Sequence, residues 1–170
     1  MSRASQQWTG PQAANTTEEW YTPPEIFSAL GLGFDLDPAA PAGGVPWVPA
    51  RTSYSRRDDG LIQPWFGRIW LNPPYGRGID RWLGRLALHG DGLALTFART
   101  DTRWFHQACT QATALCFIAG RLKFRRLGGQ AGAPSPVPSV LLAYGMPCAI
   151  AVSESGLGRT VLLPHDRSDK

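Results

Sequence analysis

The chain has 170 residues, 43% hydrophobic and 18% charged, a balance that suits one globular core and excludes a disordered chain. No apolar run is long enough to span a bilayer, and the opening MSRASQQWTG lacks the apolar segment of a secretory signal, so a cytoplasmic protein is expected. Net charge is +4, yet residues 51–126 hold 13 Lys+Arg against 5 Asp+Glu, leaving a negative balance elsewhere. A basic middle segment is what a phosphate-backbone partner requires, although by itself it equally describes a solvated surface.

Residues 1–17 are polar and aperiodic, and an N-terminal arm is expected there. One domain over 18–163 and a polar tail over 164–170 complete the expected organisation. In WYTPPEIFSALGLG, Thr22 reads as an N-cap, Pro23 as the first helical residue and Glu25 as the far end of a capping box; the helix ends at Gly31. In GFDLDPAA, Phe34 and Leu36 alternate with Asp35 and Asp37, placing both carboxylates on one face of a short strand that Pro38 ends. VPWVPARTSYS is a broken edge strand because of Pro46 and Pro49, and RRDDGLIQPW is a loop.

RIWL is a buried strand. IDRWLGRLALHG places Ile79, Trp82, Leu83 and Leu86 on one helical face and ends at Gly90, with Arg81 and Arg85 outside. GLALTFA is a strand, DTRWFHQACTQA a helix capped by Asp101 or Thr102, and ALCFIAG a strand. RLKFRR alternates cations with Leu122 and Phe124, as a half-exposed strand or hairpin arm does. A long Gly/Pro/Ser-rich loop follows. VLLAYG and CAIAVS are expected as a final antiparallel strand pair. Strand–helix alternation with paired strands at the end predicts an α/β fold, mostly parallel with an antiparallel edge.

Ligands in open α/β sheets sit beyond the carboxyl ends of strands. NPPY lies at such an end. Asn72 and Pro73 both precede a proline, so this backbone is stiff. Two acceptors are thereby fixed: the Asn72 side-chain carbonyl and the Pro73 backbone carbonyl. Tyr75 adds a flat ring face. The set suits a planar ring bearing an exocyclic amine. Accepting both N–H bonds frees the amine lone pair towards an electrophile and stabilises the positive charge that develops.

NPPY after an apolar strand resembles the catalytic motif of S-adenosylmethionine-dependent amino-methyltransferases. With EEWYTPPEIFSAL, FDLDPAA, DDGLIQPWFGRIWLNPPYG, RTDTRWFH and IAGRLKF in order, the chain resembles the phage-type DNA adenine-N6 methyltransferases from about Glu18 to Ala143. The resemblance implies a Rossmann-like methyltransferase fold, S-adenosylmethionine as cofactor and double-stranded DNA as substrate. It implies Asn72, Pro73, Pro74 and Tyr75 as catalytic residues. Trp20, Tyr21, Thr22 and Pro23 match the block along the methionine part of the cofactor, and Asp37 and Pro38 the acidic end of the first strand. Asp58 or Asp59 is left as partner of the cofactor's adenine or ribose. One departure stands out: no glycine-rich turn follows the first strand, where Ala39-Ala40-Pro41 occurs instead.

Arg121, Lys123 and Arg125 alternate, Arg126 adds a fourth cation, and the loop beyond them completes a phosphate-gripping arm; Arg77, Arg99 and Arg103 are further expected nucleic-acid contacts. His106 is expected at the pocket rim. No separate recognition domain fits, so specificity is short, relaxed or borrowed from a homodimer. The three cysteines and His106 match no standard metal spacing, and no metal is expected. A phage origin, a host-cytoplasmic location and a role in restriction–modification are implied only by the resemblance. Alternatives from the residues are methylation of RNA or of a glutamine amide, and a non-catalytic nucleic-acid-binding module.

Overall fold

The computed structural model describes residues 21–126 and 128–164. Trp20, the expected arm over 1–17 and the tail beyond residue 164 lie outside the described residues. Along the chain come α1 (Pro24–Leu30), β1 (Phe34–Asp37), β2 (Ala50–Ser53), β3 (Ile69–Leu71), α2 (Ile79–His89), β4 (Gly92–Phe97), α3 (Arg103–Gln111), β5 (Ala114–Ile118), β6 (Ser139–Tyr144), α4 (Met146–Glu154) and β7 (Gly158–Leu162). The strands form one sheet in the order β2-β1-β3-β4-β6-β5-β7. Strands β1 to β5 point one way. β6 runs against them between β4 and β5, and β7 runs against β5 at the edge. This is the expected mostly parallel α/β sheet with an antiparallel edge, compatible with a Rossmann-like methyltransferase fold.

Helices cover both faces, which explains why β3, β4 and β6 are buried along their whole length. α1 and α4 pack on one face with Trp70, Leu93, Leu95 and Leu141. α2 and α3 pack on the other with Ile69, Leu71, Ala94 and Leu142. Phe27, Phe34 and Trp70 form an aromatic knot, with centroids 4.6 Å apart for Phe27–Trp70 and 5.5 Å for Phe34–Trp70. That knot ties α1 and β1 to the strand that ends at Asn72.

Several sequence expectations need correction. The capping box is not formed: Pro23 is the N-cap residue, no side chain caps α1, and the Thr22 hydroxyl is buried without a partner. Proline at the N-cap position has no side-chain acceptor to offer the first-turn amides. CAIAVS is not a strand but the core of α4, entered through Gly145 (φ 85°) with Pro147 in its first turn. A short apolar run has no period that separates buried strand from buried helix. The last strand is instead Gly158–Leu162, an edge strand with little apolar patterning. RLKFRR forms no named strand; only Arg125 bridges to neighbours, through Tyr21 and Ala131. In β1 the simple alternation is lost, because Asp35 and Leu36 both donate to the Arg68 carbonyl (2.8 and 3.3 Å), and Phe34 and Leu36 join different cores.

Candidate active site

The register sets Leu36 opposite Ile69, Leu71 opposite Ala94 and Phe97 opposite Ser139. The carboxyl ends of β1, β3 and β4 therefore emerge along one edge of the sheet. Asn72-Pro73-Pro74-Tyr75 leaves β3 there. Pro73 is buried, Pro74 exposed, and Asn72 and Tyr75 half-buried. Tyr75 is not at an exposed loop tip. Its ring lies on Phe97 at the end of β4, centroids 4.1 Å apart and planes 21° apart. Its hydroxyl donates weakly to Asn72 Oδ1 (3.4 Å) and the Leu95 carbonyl (3.5 Å), and burial pushes its pKa upward, keeping the phenol neutral. Phe97 thus backs one face of the Tyr75 ring. Among the described residues no backbone donor takes the Pro73 carbonyl.

Three segments border this edge. Tyr21, Thr22 and Pro23 are buried beside α1, with the Thr22 carbonyl accepting from Trp47 Nε1 (2.9 Å) and the Tyr21 ring edge-on to Trp47. Asp37 ends β1 with its side chain buried and, among the described residues, accepts only the Ala39 amide (3.1 Å). Burial raises its pKa to about 7, against a small opposing effect of that hydrogen bond. The third is the loop after β2. Asp58 turns to the Ser55 amide and hydroxyl (both 2.7 Å), which holds its carboxyl below the usual range. Asp59 adopts φ 52° and accepts from Leu61 (3.3 Å). Gly60 is buried against the end of β1. A Cβ there would stand 1.9 Å from the Pro38 carbonyl oxygen and 3.2 Å from the Trp82 ring.

With this geometry in place, comparison with known proteins is informative. Residues 11–142 match the family of DNA N-6-adenine-methyltransferases (Dam). The chain belongs to this family. No curated protein and no solved structure matches it. The enzyme's activity is therefore DNA adenine-N6 methylation. No helix among the described residues is long and apolar enough to cross a membrane.

The cations of this adenine methyltransferase follow the strand ends. Arg77 comes after β3, Arg99 and Arg103 after β4, and Arg121, Lys123 and Arg126 after β5; all six are exposed. Arg121 donates to the Pro136 carbonyl (3.0 Å). Arg125 differs: its half-buried side chain is engaged by Glu25 and the Gly129 carbonyl. His106 closes the β4–α3 loop through the Thr100 carbonyl (2.8 Å).

Sequence reasoning missed three groups. Phe97 had no signal beyond a strand's alternation. Gly60 is one glycine of 19, and its need appears only against Pro38. Arg85 was expected outside with Arg81. It instead donates to the Leu61 and Gln63 carbonyls and lies 4.9 Å over the Trp65 ring. Trp65 Nε1 in turn donates to the Gly60 carbonyl (2.7 Å). The spacing of Trp82 and Arg85 on α2 was the available clue, since i and i+3 share a face.

Proposed function

We propose that the enzyme transfers a methyl group from S-adenosylmethionine to adenine N6 in double-stranded DNA, with Asn72, Pro73, Pro74 and Tyr75 as its catalytic residues. The observation that carries the reading is the Asn72 side-chain carbonyl set beside a Tyr75 ring braced on Phe97. The donor fits the residues present. Thr22 offers a buried hydroxyl with no partner, which left alone costs about 1–3 kcal/mol. Asp37 offers a carboxyl poised near neutrality beside which a cation is favoured. The bare backbone of Gly60 against Pro38 does what a glycine-rich turn would do, bringing the 55–65 loop onto the end of β1. Tyr21, Thr22, Pro23, Asp37 and Pro38 would hold the methionine and central parts, and Asp59 the nucleoside side, since Asp58 is committed to Ser55.

When bound, S-adenosylmethionine supplies an electrophilic methyl on a sulfonium sulfur. Asn72 Oδ1 and the Pro73 carbonyl accept the two N6–H bonds and orient the nitrogen lone pair. Tyr75 stacks on the adenine with the ring face that Phe97 leaves open. Flipping the base from a duplex costs roughly a few kcal/mol, which that stacking partly offsets. No side chain need remove the proton beforehand, because the amine becomes acidic only once the N–C bond has formed and the S–C bond has broken, and its proton would then pass to water. Arg77, Arg99, Arg103, Arg121, Lys123 and Arg126 hold the phosphates, and site choice is short because phosphate contacts position without specifying.

The experiment is transfer of labelled methyl to unmethylated duplex DNA, digested to nucleosides. Label in N6-methyldeoxyadenosine is expected. Binding of S-adenosylmethionine with label only in RNA or protein would overturn the substrate, and no binding would overturn the donor.

A further inference from the structure

The arm after β5 and the segment before α1 are joined. Tyr21 and Arg125 exchange both backbone hydrogen bonds, at 2.7 and 2.8 Å. Arg125 Nη2 pairs with Glu25 in the first turn of α1, Nη1 donates to the Gly129 carbonyl (3.3 Å), and Nε is buried with no partner. The arm folds back on itself: Gly132 donates to the Phe124 carbonyl, and Ser135 to that of Leu122 (both 2.8 Å). Phe124 is buried in the same core as Ile26 and Phe27 of α1. One packed unit therefore carries both the exposed Arg121, Lys123 and Arg126 and the buried Tyr21 and Thr22.

We infer that Arg125 is a positioning residue rather than a phosphate contact: it locks the basic arm to the Tyr21–Glu25 segment, so that duplex DNA and the methyl donor bind with coupled affinities. This rests on the proposed roles of the arm and of Tyr21–Thr22. A group that reaches phosphate points to solvent, whereas the Arg125 guanidinium spans two protein segments. DNA that orders the arm also orders the donor-side segment, since the two share backbone hydrogen bonds and an ion pair. Thermodynamic reciprocity then requires the donor to tighten DNA binding by the same factor.

The test uses the full chain, a short unmethylated duplex and S-adenosylhomocysteine, which carries no transferable methyl. Calorimetry should show S-adenosylhomocysteine binding about 5-fold or more tighter when duplex saturates the protein. In Arg125→Gln that ratio should fall below about 2, and Glu25→Gln should lower it in the same direction with every residue of the arm unchanged. The salt dependence of duplex binding separates positioning from contact. Loss of one phosphate contact lowers the slope of log K against log salt by about 0.9. Lys123→Gln should show that drop and Arg125→Gln should not. A wild-type ratio of one, or a slope loss in Arg125→Gln with coupling retained, overturns the inference while leaving the methyl-transfer reading intact. Absence of duplex binding or of labelled N6-methyldeoxyadenosine with wild-type enzyme overturns that reading instead.

Discussion

In the proposed reaction Asn72 acts on the amine and not on the donor. Asn72→Ala should therefore cut methyl transfer by two orders of magnitude or more, as loss of a preorganised charge-stabilising group does, while S-adenosylmethionine affinity stays within about 3-fold by calorimetry. Tyr75 has a ring that stacks on Phe97 and a hydroxyl with only two long hydrogen bonds. Tyr75→Phe should thus be about 5-fold or more as active as Tyr75→Ala, given roughly 1–3 kcal/mol for a base–aromatic stack. Equal rates for the two variants would remove the stacking role. Asp37 gives a pH prediction. Its folded pKa, about 7, lies above the unfolded value near 4. Between those values the folded chain keeps a proton that the unfolded chain releases, so this group's contribution to stability falls as pH rises through that window and levels off above it. The loss is up to roughly 4 kcal/mol. Asp37→Asn should abolish it, and denaturant titrations of both proteins at pH 4.5 and 8 would check the sign. Binding of a cationic donor should strengthen over the same window.

At the scale of elements, the 55–65 loop is held by α2 and not by its own turn residues. Trp82 packs on Gly60, and Arg85 ties down Leu61 and Gln63. Gly60→Ala should destabilise the protein by about 1–3 kcal/mol, the usual cost of overpacking, and weaken the donor's binding; an unchanged thermal midpoint would show that the loop yields freely. Arg85→Ala should weaken donor binding with a smaller loss of stability, readable as a rise in Kd for S-adenosylhomocysteine. Elements with strong patterning were legible beforehand. α2 was anticipated from Ile79 to its stop at Gly90, and β3 and β4 from their apolar runs. α4 was not, because its buried Cys148, Ala149 and Val152 read equally well as a strand. Nor was the fate of Arg125, whose alternation with Arg121 and Lys123 says which side it leaves, not what waits there.

On the scale of the molecule, charge and topology agree. The chain is basic, with a pI near 9.3, and the exposed cations follow β3, β4 and β5, at the same edge as NPPY. Duplex affinity should fall steeply with salt. A slope magnitude of 4 or more on the log–log plot is expected if most of the six exposed cations each neutralise a phosphate. A slope near one would place the DNA elsewhere.

By itself the sequence determined the family, the α/β class, the strand that ends in NPPY and the segment rich in cations. These are local or compositional properties: periodicity, proline stiffness and motif order survive without knowledge of neighbours. Only the tertiary structure decided which partners those residues meet. It put Phe97 behind Tyr75, Pro38 against Gly60 and Glu25 beside Arg125, although these pairs lie 22, 22 and 100 residues apart. Such contacts arise from sheet order and helix packing, which bring distant segments together irrespective of local pattern. The contact of Gly60 with Pro38, the brace behind Tyr75 and the strut from arm to α1 were therefore invisible until the chain was folded.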